Sequence, residues 1–485
     1  MGSLSLAGVI AVITVSVDIV VRILALIYVP RNRRPQTALA WLLAIFLVPY
    51  VGVILYLVAG NWLLSKKRRA RQATVNAFIR RTAESVDLGT SDVDVPDWLL
   101  PATTLNSSLG ALPFVPGNSG TVYATDAEGL EAMVAAIDAA EKVVHAEFYI
   151  MSLDETSEPF IAALENAHNR GVLVRVLFDH LGSHGYPGYK AMRTRFERSG
   201  IQWQLMLPFQ PFKGKIRRPD LRNHRKLLVI DGDVAFTGSR NIIDPSYQKR
   251  KNRRRHLRWH DFMARLEGPV VAEIEAVFIT DWYSETGELL DDMDFSGMRP
   301  AGDLDCQVVP SGPGFEGENN LRLFNSLVYA ARKKIILTSP YFVPDDSMLY
   351  AITTAAQSGI EVELFVSEIG DQFFVYHAQR SYYEALLKAG VKIWLYEKPI
   401  VLHAKHFTID VELSVFGSSN MDMRAFTLDL EITVMVRGAG FLEQLRATQE
   451  EYRTHSRELT LEEWSKRKFF PRVLDDLARL TAAVQ

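Results

Sequence analysis

The 485-residue chain has a single cysteine, Cys306, which excludes an intramolecular disulfide and suits a reducing compartment. Charge of either sign is nearly balanced, with 54 Lys and Arg against 57 Asp and Glu and a formal net charge of −3. That balance excludes a global attraction to polyanions, so any basic character must be local. His, Asp and Glu nowhere cluster with the spacing of a metal site, so neither a metal nor another cofactor is expected. A cleaved leader is also a poor fit: no basic region precedes the first apolar run, the run is too long, and a second follows at once.

What the chain does have at its start is two long apolar stretches. Residues 4–29 and 37–60 are each long enough to cross a hydrocarbon layer of about 30 Å as helices, which predicts a transmembrane hairpin over 1–62. The first stretch carries Asp18 and Arg22, each costing about 2.5 to 3.5 kcal/mol if left unpaired at the bilayer centre. Four residues apart, they share a helix face and can neutralise one another or meet a neighbouring helix; an ion- or substrate-handling role is the alternative. Arg31, Arg33 and Arg34 follow the first stretch, and Lys66, Lys67, Arg68, Arg69 and Arg71 follow the second. The larger cluster favours both termini inside, with a cytoplasmic carboxyl-terminal body and a multi-pass anchor.

The remaining length exceeds one ordinary core. Residues 63–116 read as a basic juxtamembrane segment followed by a linker, or an irregular packed segment, rich in Gly, Ser, Pro and Asp. From about residue 117, β-branched runs alternate with helical stretches, which predicts α/β domains with a mixed, helix-covered sheet.

Those domains are copies of one another. "NHRKLLVIDG" sets His224, Lys226 and Asp231 into an apolar run, and "HAKHFTID" sets His403, Lys405 and Asp410 at the same internal spacing. Each copy is trailed by Gly-Ser and then Asn: Gly238, Ser239 and Asn241 in the first, Gly417, Ser418 and Asn420 in the second. Upstream, "VVHAEFYIMSLDE" and "IILTSPYFVPDD" match as apolar strands ending in acidic turns. One His-x-Lys is an ordinary strand end, but two in register make an internal repeat of domain size.

The duplicated His-x-Lys-x4-Asp element resembles the signature of the phospholipase D superfamily. With the paired amino-terminal spans and phrases such as "AWLLAIFLVPYVGVILYL" and "GSSNMDMRAFTLDLE", the chain is similar to bacterial cardiolipin synthases along nearly its whole length. The resemblance implies two phospholipase D-like domains, 117–300 and 301–485, in a pseudo-twofold arrangement whose motifs meet at one cleft. It implies a phosphatidyltransferase acting on phosphatidylglycerol and other anionic phospholipids at the bacterial inner membrane, with a homodimer as one assembly; the superfamily also includes nucleases, but the two spans and the net negative charge disfavour nucleic acid. A phosphodiester site must neutralise oxygens, supply a nucleophile and protonate the leaving alkoxide. One histidine can attack while its partner is the acid, and the superfamily pattern leans to His224 as nucleophile and His403 as acid. Lys226 and Lys405 would hold phosphoryl oxygens, supplemented by Asn241, Asn420 and the Ser239 and Ser418 hydroxyls. By analogy, Asp261 and Glu431 orient the imidazoles, while Asp231 and Asp410 end their strands. The second acceptor stays open: phosphatidylglycerol gives cardiolipin, another alcohol another lipid, and water a phospholipase D-type hydrolase.

Four features lie outside the motif. "KRKNRRRHLR", residues 249–258, would attract anionic headgroups, about 1 kcal/mol per basic residue near a charged surface, or form an exposed loop. The tail "WSKRKFFPRVLDDLARL" would lie at an interface or dock onto the second half. Arg240 and His377 depart from the family's pattern: Arg240 would alter the pocket rim, and His377 would be ordinary surface chemistry or touch the acceptor headgroup.

Overall fold

A computed structural model of the chain describes residues 5–31, 35–60, 74, 93–109, 112–210, 218–290, 299–315 and 317–481. They form two compact units, Met1–Leu63 with Arg218–Asp220, and the remainder. Arg33, Arg34 and the basic run 66–71 lie outside the described residues.

In the amino-terminal unit, α1 (Leu6–Tyr28) is largely apolar apart from one charged pair and is capped by Ser5, whose hydroxyl accepts from Gly8 N. Its 23 residues rise about 34 Å, enough to cross a membrane by length and composition. Asp18 and Arg22 form an ion pair at 2.9 Å, and the Arg22 guanidinium lies 5.4 Å from the Phe46 ring centroid. The helix expected over 37–60 is instead two, α2 (Pro35–Leu47) and α3 (Pro49–Ala59). Pro49 lacks an N–H and disfavours helical backbone at the residue before it; Val48 sits at φ −135°, ψ 76°. The chain then folds back on itself. A Cβ on Gly52 would stand 2.6 Å from Ala44 O, and the Trp41 and Tyr56 rings meet at 5.7 Å, so α3 returns along α2. Among the described residues, only α1 is long enough to span.

The second unit carries the duplicated halves. Half one contributes β1 (Val115–Tyr123), β2 (Val143–Phe148), β3 (Leu173–Asp179), β4 (Gln202–Met206), β5 (Lys226–Ile230), β6 (Val234–Gly238), β7 (Arg258–His260) and β8 (Met263–Glu267). Half two contributes β9 (Leu304–Ser311), β10 (Lys334–Thr338), β11 (Phe342–Val343), β12 (Glu361–Ser367), β13 (Lys392–Tyr396), β14 (Ile400–Leu402), β15 (His406–Ile409), β16 (Leu413–Gly417), β17 (Met421–Asp422), β18 (Glu431–Arg437) and β19 (Ser456–Leu459). Fifteen of these make one sheet in the order β19-β13-β12-β10-β15-β16-β18-β9-β1-β8-β6-β5-β2-β3-β4. Read outward from the β1·β9 pair, the halves match strand for strand, β8 with β18, β6 with β16, β5 with β15, β2 with β10. The repeat therefore has a physical axis at the antiparallel β1·β9 contact. Helices cover the outer faces of each half, and a third apolar cluster, from Val115 and Leu227 to Val308 and Ile432, draws on both halves. The described part of the segment before residue 117, from residue 93, takes the packed alternative: Leu99 and Ala102 are buried in the core of half two.

The two motif aspartates share one task. Asp231, at φ 55°, accepts backbone N–H groups from Glu141, Lys142 and Val143 at 2.7–2.8 Å. Asp410, at φ 50°, accepts from Arg332, Lys333 and Lys334 at 2.7–2.9 Å. Each carboxylate stitches the end of its motif strand to the start of the neighbouring strand, about 16 Å along the strand from the motif lysine. Asp410→Ala strands three donors and is expected to cost about 2 kcal/mol, read as a lowered unfolding temperature of the purified chain.

Candidate active site

Both motif segments are buried, and each is carried onto the opposite half by strand pairing. His224 N donates to Leu430 O and Leu430 N donates to Arg222 O, both at 2.8 Å. In half two, β14 pairs in parallel with β7, and His403 N donates to His260 O at 2.8 Å. In each case the residue following the bridge is an acid of the other half, Glu431 or Asp261. The geometry is therefore crossed: His224 Nδ1 lies 2.9 Å from Glu431 Oε1, and His403 Nδ1 lies 2.6 Å from Asp261 Oδ1. With Nδ1 held by a carboxylate, Nε2 of each ring is the atom left for chemistry.

The Gly-Ser pair explains how the acids are fixed. A Cβ at Gly238 would lie 2.4 Å from Phe262 O and one at Gly417 2.1 Å from Ile432 O, so only glycine lets the chains approach this closely. That approach lets Ser239 Oγ donate to Asp261 Oδ1 at 2.7 Å and Ser418 Oγ donate to Glu431. The serine hydroxyls, expected on phosphoryl oxygens, are thus committed to carboxylates. Asn241 is likewise occupied by the protein: Oδ1 accepts from Ile150 N at 3.0 Å and Nδ2 donates to the Tyr247 hydroxyl at 2.8 Å. Asn420 Oδ1 is buried without a partner among the described residues. Each motif lysine donates to the carbonyl of its own histidine, Lys405 Nζ to His403 O at 2.5 Å and Lys226 Nζ to His224 O, which uses one of three ammonium donors.

Charge completes the picture. Burial lowers the pKa of both imidazoles, aided at His224 by the charges of Lys226 and Lys405, and opposed at His403 by Asp261. Burial also raises Glu431 to about 8 against the pull of Lys226, and would raise Asp261 too, but His403, Lys405 and Ser239 hold that carboxyl well below its usual range. The pairs are therefore unequal: both imidazoles lie below the ordinary value, His224 further below it than His403, whose lowering the ionised Asp261 opposes. Burial brings Lys226 down to about 8 and Lys405 to about 7. Both lysines are cationic below those values and lose their charge above them. For an anionic substrate, kcat/KM is expected to fall as pH rises from 7 to 9, with kcat less affected because a bound phosphate holds the protons on; a pH–rate profile checks it.

Three aromatic residues at the site carry no motif signal. The Tyr149 ring lies 4.9 Å from His224 and 5.4 Å from Lys226 Nζ, while Tyr247 and Tyr341 stand 6.5 and 6.4 Å from His403. Tyr149 directly follows β2, and Tyr341 lies three residues beyond β10, where the register of the two halves matches it to Ile150 of half one. The family departures lie elsewhere: Arg240 pairs with Asp126, and His377 Nδ1 lies 2.6 Å from Asp475 Oδ1. Among the described residues no group of three or more His, Cys, Asp or Glu is arranged to hold a metal ion.

Comparison with known proteins agrees with this construction. A family model described as "Cardiolipin synthase, PLD-like domain" matches residues 133–282 and 325–452, and one described as "Phospholipase_D-nuclease N-terminal" matches 20–61. "Cardiolipin synthase A" of Proteus mirabilis (strain HI4320) is 35% identical over 459 residues, covering 92% of each chain. The protein of that name from Pectobacterium carotovorum subsp. carotovorum (strain PC1) is 34% identical over 461 residues with the same coverage. Among solved structures, a phosphatidylserine synthase from Haemophilus influenzae Rd KW20 shares the fold, with a TM-score of 0.60 at 16% identity over 80% of this chain and 98% of that one.

Proposed function

From the premise that the chain belongs to the cardiolipin synthases, phosphatidyltransferases with a duplicated phospholipase D-like domain, we propose that it makes cardiolipin and glycerol from two phosphatidylglycerol molecules. The observation that carries this reading is the crossed pair of His–carboxylate contacts, which holds Nδ1 of each ring and leaves both Nε2 atoms for chemistry, with the two motif lysines close enough for their charges to act on His224.

His224 Nε2 attacks the phosphorus of the first lipid, the bond from phosphorus to the headgroup glycerol oxygen breaks, and His403 gives its proton to the departing alkoxide. A phosphatidyl-histidine remains. The terminal hydroxyl of a second phosphatidylglycerol then attacks phosphorus, its proton passes to His403, and the phosphorus–nitrogen bond breaks. Lys226 and Lys405 neutralise the phosphoryl oxygens in both steps. The basic run 66–71 supports a body on the cytoplasmic side, where anchorage beside the lipid supply favours a lipid over water as acceptor.

Purified protein given labelled phosphatidylglycerol is expected to yield cardiolipin and free glycerol in equal amounts. Phosphatidic acid as the sole product would instead assign a hydrolase.

A further inference from the structure

We propose that the rim of the cleft is a docking surface for an anionic lipid bilayer, formed jointly by the carboxyl-terminal helix, two phenylalanines of half two and the basic segment of half one. The proposal rests on the lipid-transfer reading above, because it supplies that cleft with its substrate.

The carboxyl-terminal helix Phe469–Arg479 has two distinct sides. One is fastened to the body: Asp475, 1% exposed, accepts from Arg467 Nη1 at 2.6 Å and pairs with His377 Nδ1 at 2.6 Å, and Ala478 is buried beside it. The other is bare, with Phe469 at 72%, Phe470 at 83% and Leu477 at 56% exposure, followed by Leu480 at 79%. A fastened helix whose large apolar side chains face outward has the layout of an interfacial helix.

The bare side continues toward the reacting groups. The Phe373 ring lies 4.6 Å from His377, the ring that holds Asp475, and Phe373 and Phe374 are both more than half exposed. Two residues before them, Asp371 accepts from the Tyr341 hydroxyl at 2.9 Å, and the Tyr341 ring is 6.4 Å from His403. From half one, Arg255 Nη2 donates to Gly370 O at 3.0 Å, bringing the basic segment against the same edge. Lys249, Arg250, Lys251, Arg253 and Arg254 are exposed there, and the following strand leads to Asp261. Bare aromatics flanked by exposed cations, beside a site read as taking a phosphodiester, match a leaflet with negative headgroups. The basic segment and the tail thus serve one surface.

The test uses the full chain in lipid nanodiscs with an environment-sensitive dye on Phe470→Cys or Phe374→Cys; the native Cys306 is buried. In discs containing brominated phosphatidylglycerol, both dyes are expected to be quenched relative to unbrominated discs. Absence of quenching at both positions overturns the proposal and leaves the surface to a protein partner. In liposomes, Phe469→Ser with Phe470→Ser is expected to raise the apparent KM for surface phosphatidylglycerol about tenfold with kcat retained, and Leu at both positions is expected to restore it. An unchanged KM, or a loss confined to kcat, counts against it. Quenching without cardiolipin formation removes the catalytic reading and keeps the surface; cardiolipin formation without quenching does the reverse.

A separate observation supports a second inference: we infer that α2 and α3 form a re-entrant hairpin that enters and leaves the bilayer on one side, so that α1 is the sole crossing. Their lengths, about 20 and 16 Å, fall short of the hydrocarbon layer. The turn is suited to apolar surroundings, since Pro49 has no N–H, Val48 N donates to Ala44 O at 3.0 Å and Val48 O accepts from Gly52 N at 2.7 Å. A two-span hairpin would put the arginines of 31–34 and the basic run 66–71 on opposite sides; the re-entrant path puts both on the cytoplasmic side. In intact cells an impermeant thiol reagent is expected to label Ser3→Cys and spare Arg31→Cys. Labelling of Arg31→Cys with Ser3→Cys protected restores the two-span hairpin and overturns this path, as does labelling of both or neither.

Discussion

His224→Ala is expected to reduce cardiolipin formation by about 10⁴-fold or more, because it removes the atom that bonds to phosphorus and no neighbouring side chain replaces it. His403→Ala is expected to fall as far with phosphatidylglycerol, since the alkoxide then leaves unprotonated, and the double variant no further, as the two rings act as one unit. The two variants separate with a substrate whose leaving group needs no proton. Given a phosphatidyl nitrophenyl ester, His403→Ala is expected to release one nitrophenolate per protein and to trap phosphohistidine on the peptide containing residue 224. Trapping on the 403 peptide in His224→Ala, with none in His403→Ala, would reverse the roles. The unequal surroundings of the rings, with Asp261 held ionised and Glu431 raised to about 8, are the physical ground for this direction.

The second large effect concerns the orienting acids. Asp261→Asn keeps the shape, yet it can present an N–H where His403 Nδ1–H needs an acceptor, and it removes the charge that favours the imidazolium. A fall of about 10³- to 10⁴-fold in kcat is expected, with KM little changed. Glu431→Gln is expected to cost less, because that carboxyl already carries a raised pKa and its partner works as a neutral ring. An equal loss in both variants, measured over pH 6 to 9, would show that charge does not distinguish the two pairs.

Much of this site can be read along the chain because the repeat compares the protein with itself: His224, Lys226, His403 and Lys405 stand out through duplicated spacing. Asp261 and Glu431 are identifiable as residues, but their exchange between halves is not, since it depends on Asn223 meeting Leu430 and Leu402 meeting His260 across long sequence separations. The serines illustrate a different limit. A hydroxyl near a phosphate site suggests a ligand to phosphate, and only the close approach at Gly238 and Gly417 reveals that it faces a carboxylate. In the amino-terminal unit, hydropathy outweighed a signal that was present: Pro49 sits at the middle of the apolar run and divides it. Tyr149 and Tyr341 are ordinary strand-end aromatics until the fold turns them toward the imidazoles.

The shared sheet has a consequence for how lipids come and go. Because β1 and β9 are hydrogen-bonded neighbours and one apolar cluster draws on both halves, the halves cannot swing apart like jaws without tearing backbone pairing. Loading and unloading would then rely on local side-chain displacements over buried reacting groups. On the proposed two-step reaction, the released glycerol would have to leave past those same side chains before the second lipid enters, a steric reinforcement of the ping-pong order that a covalent intermediate already sets.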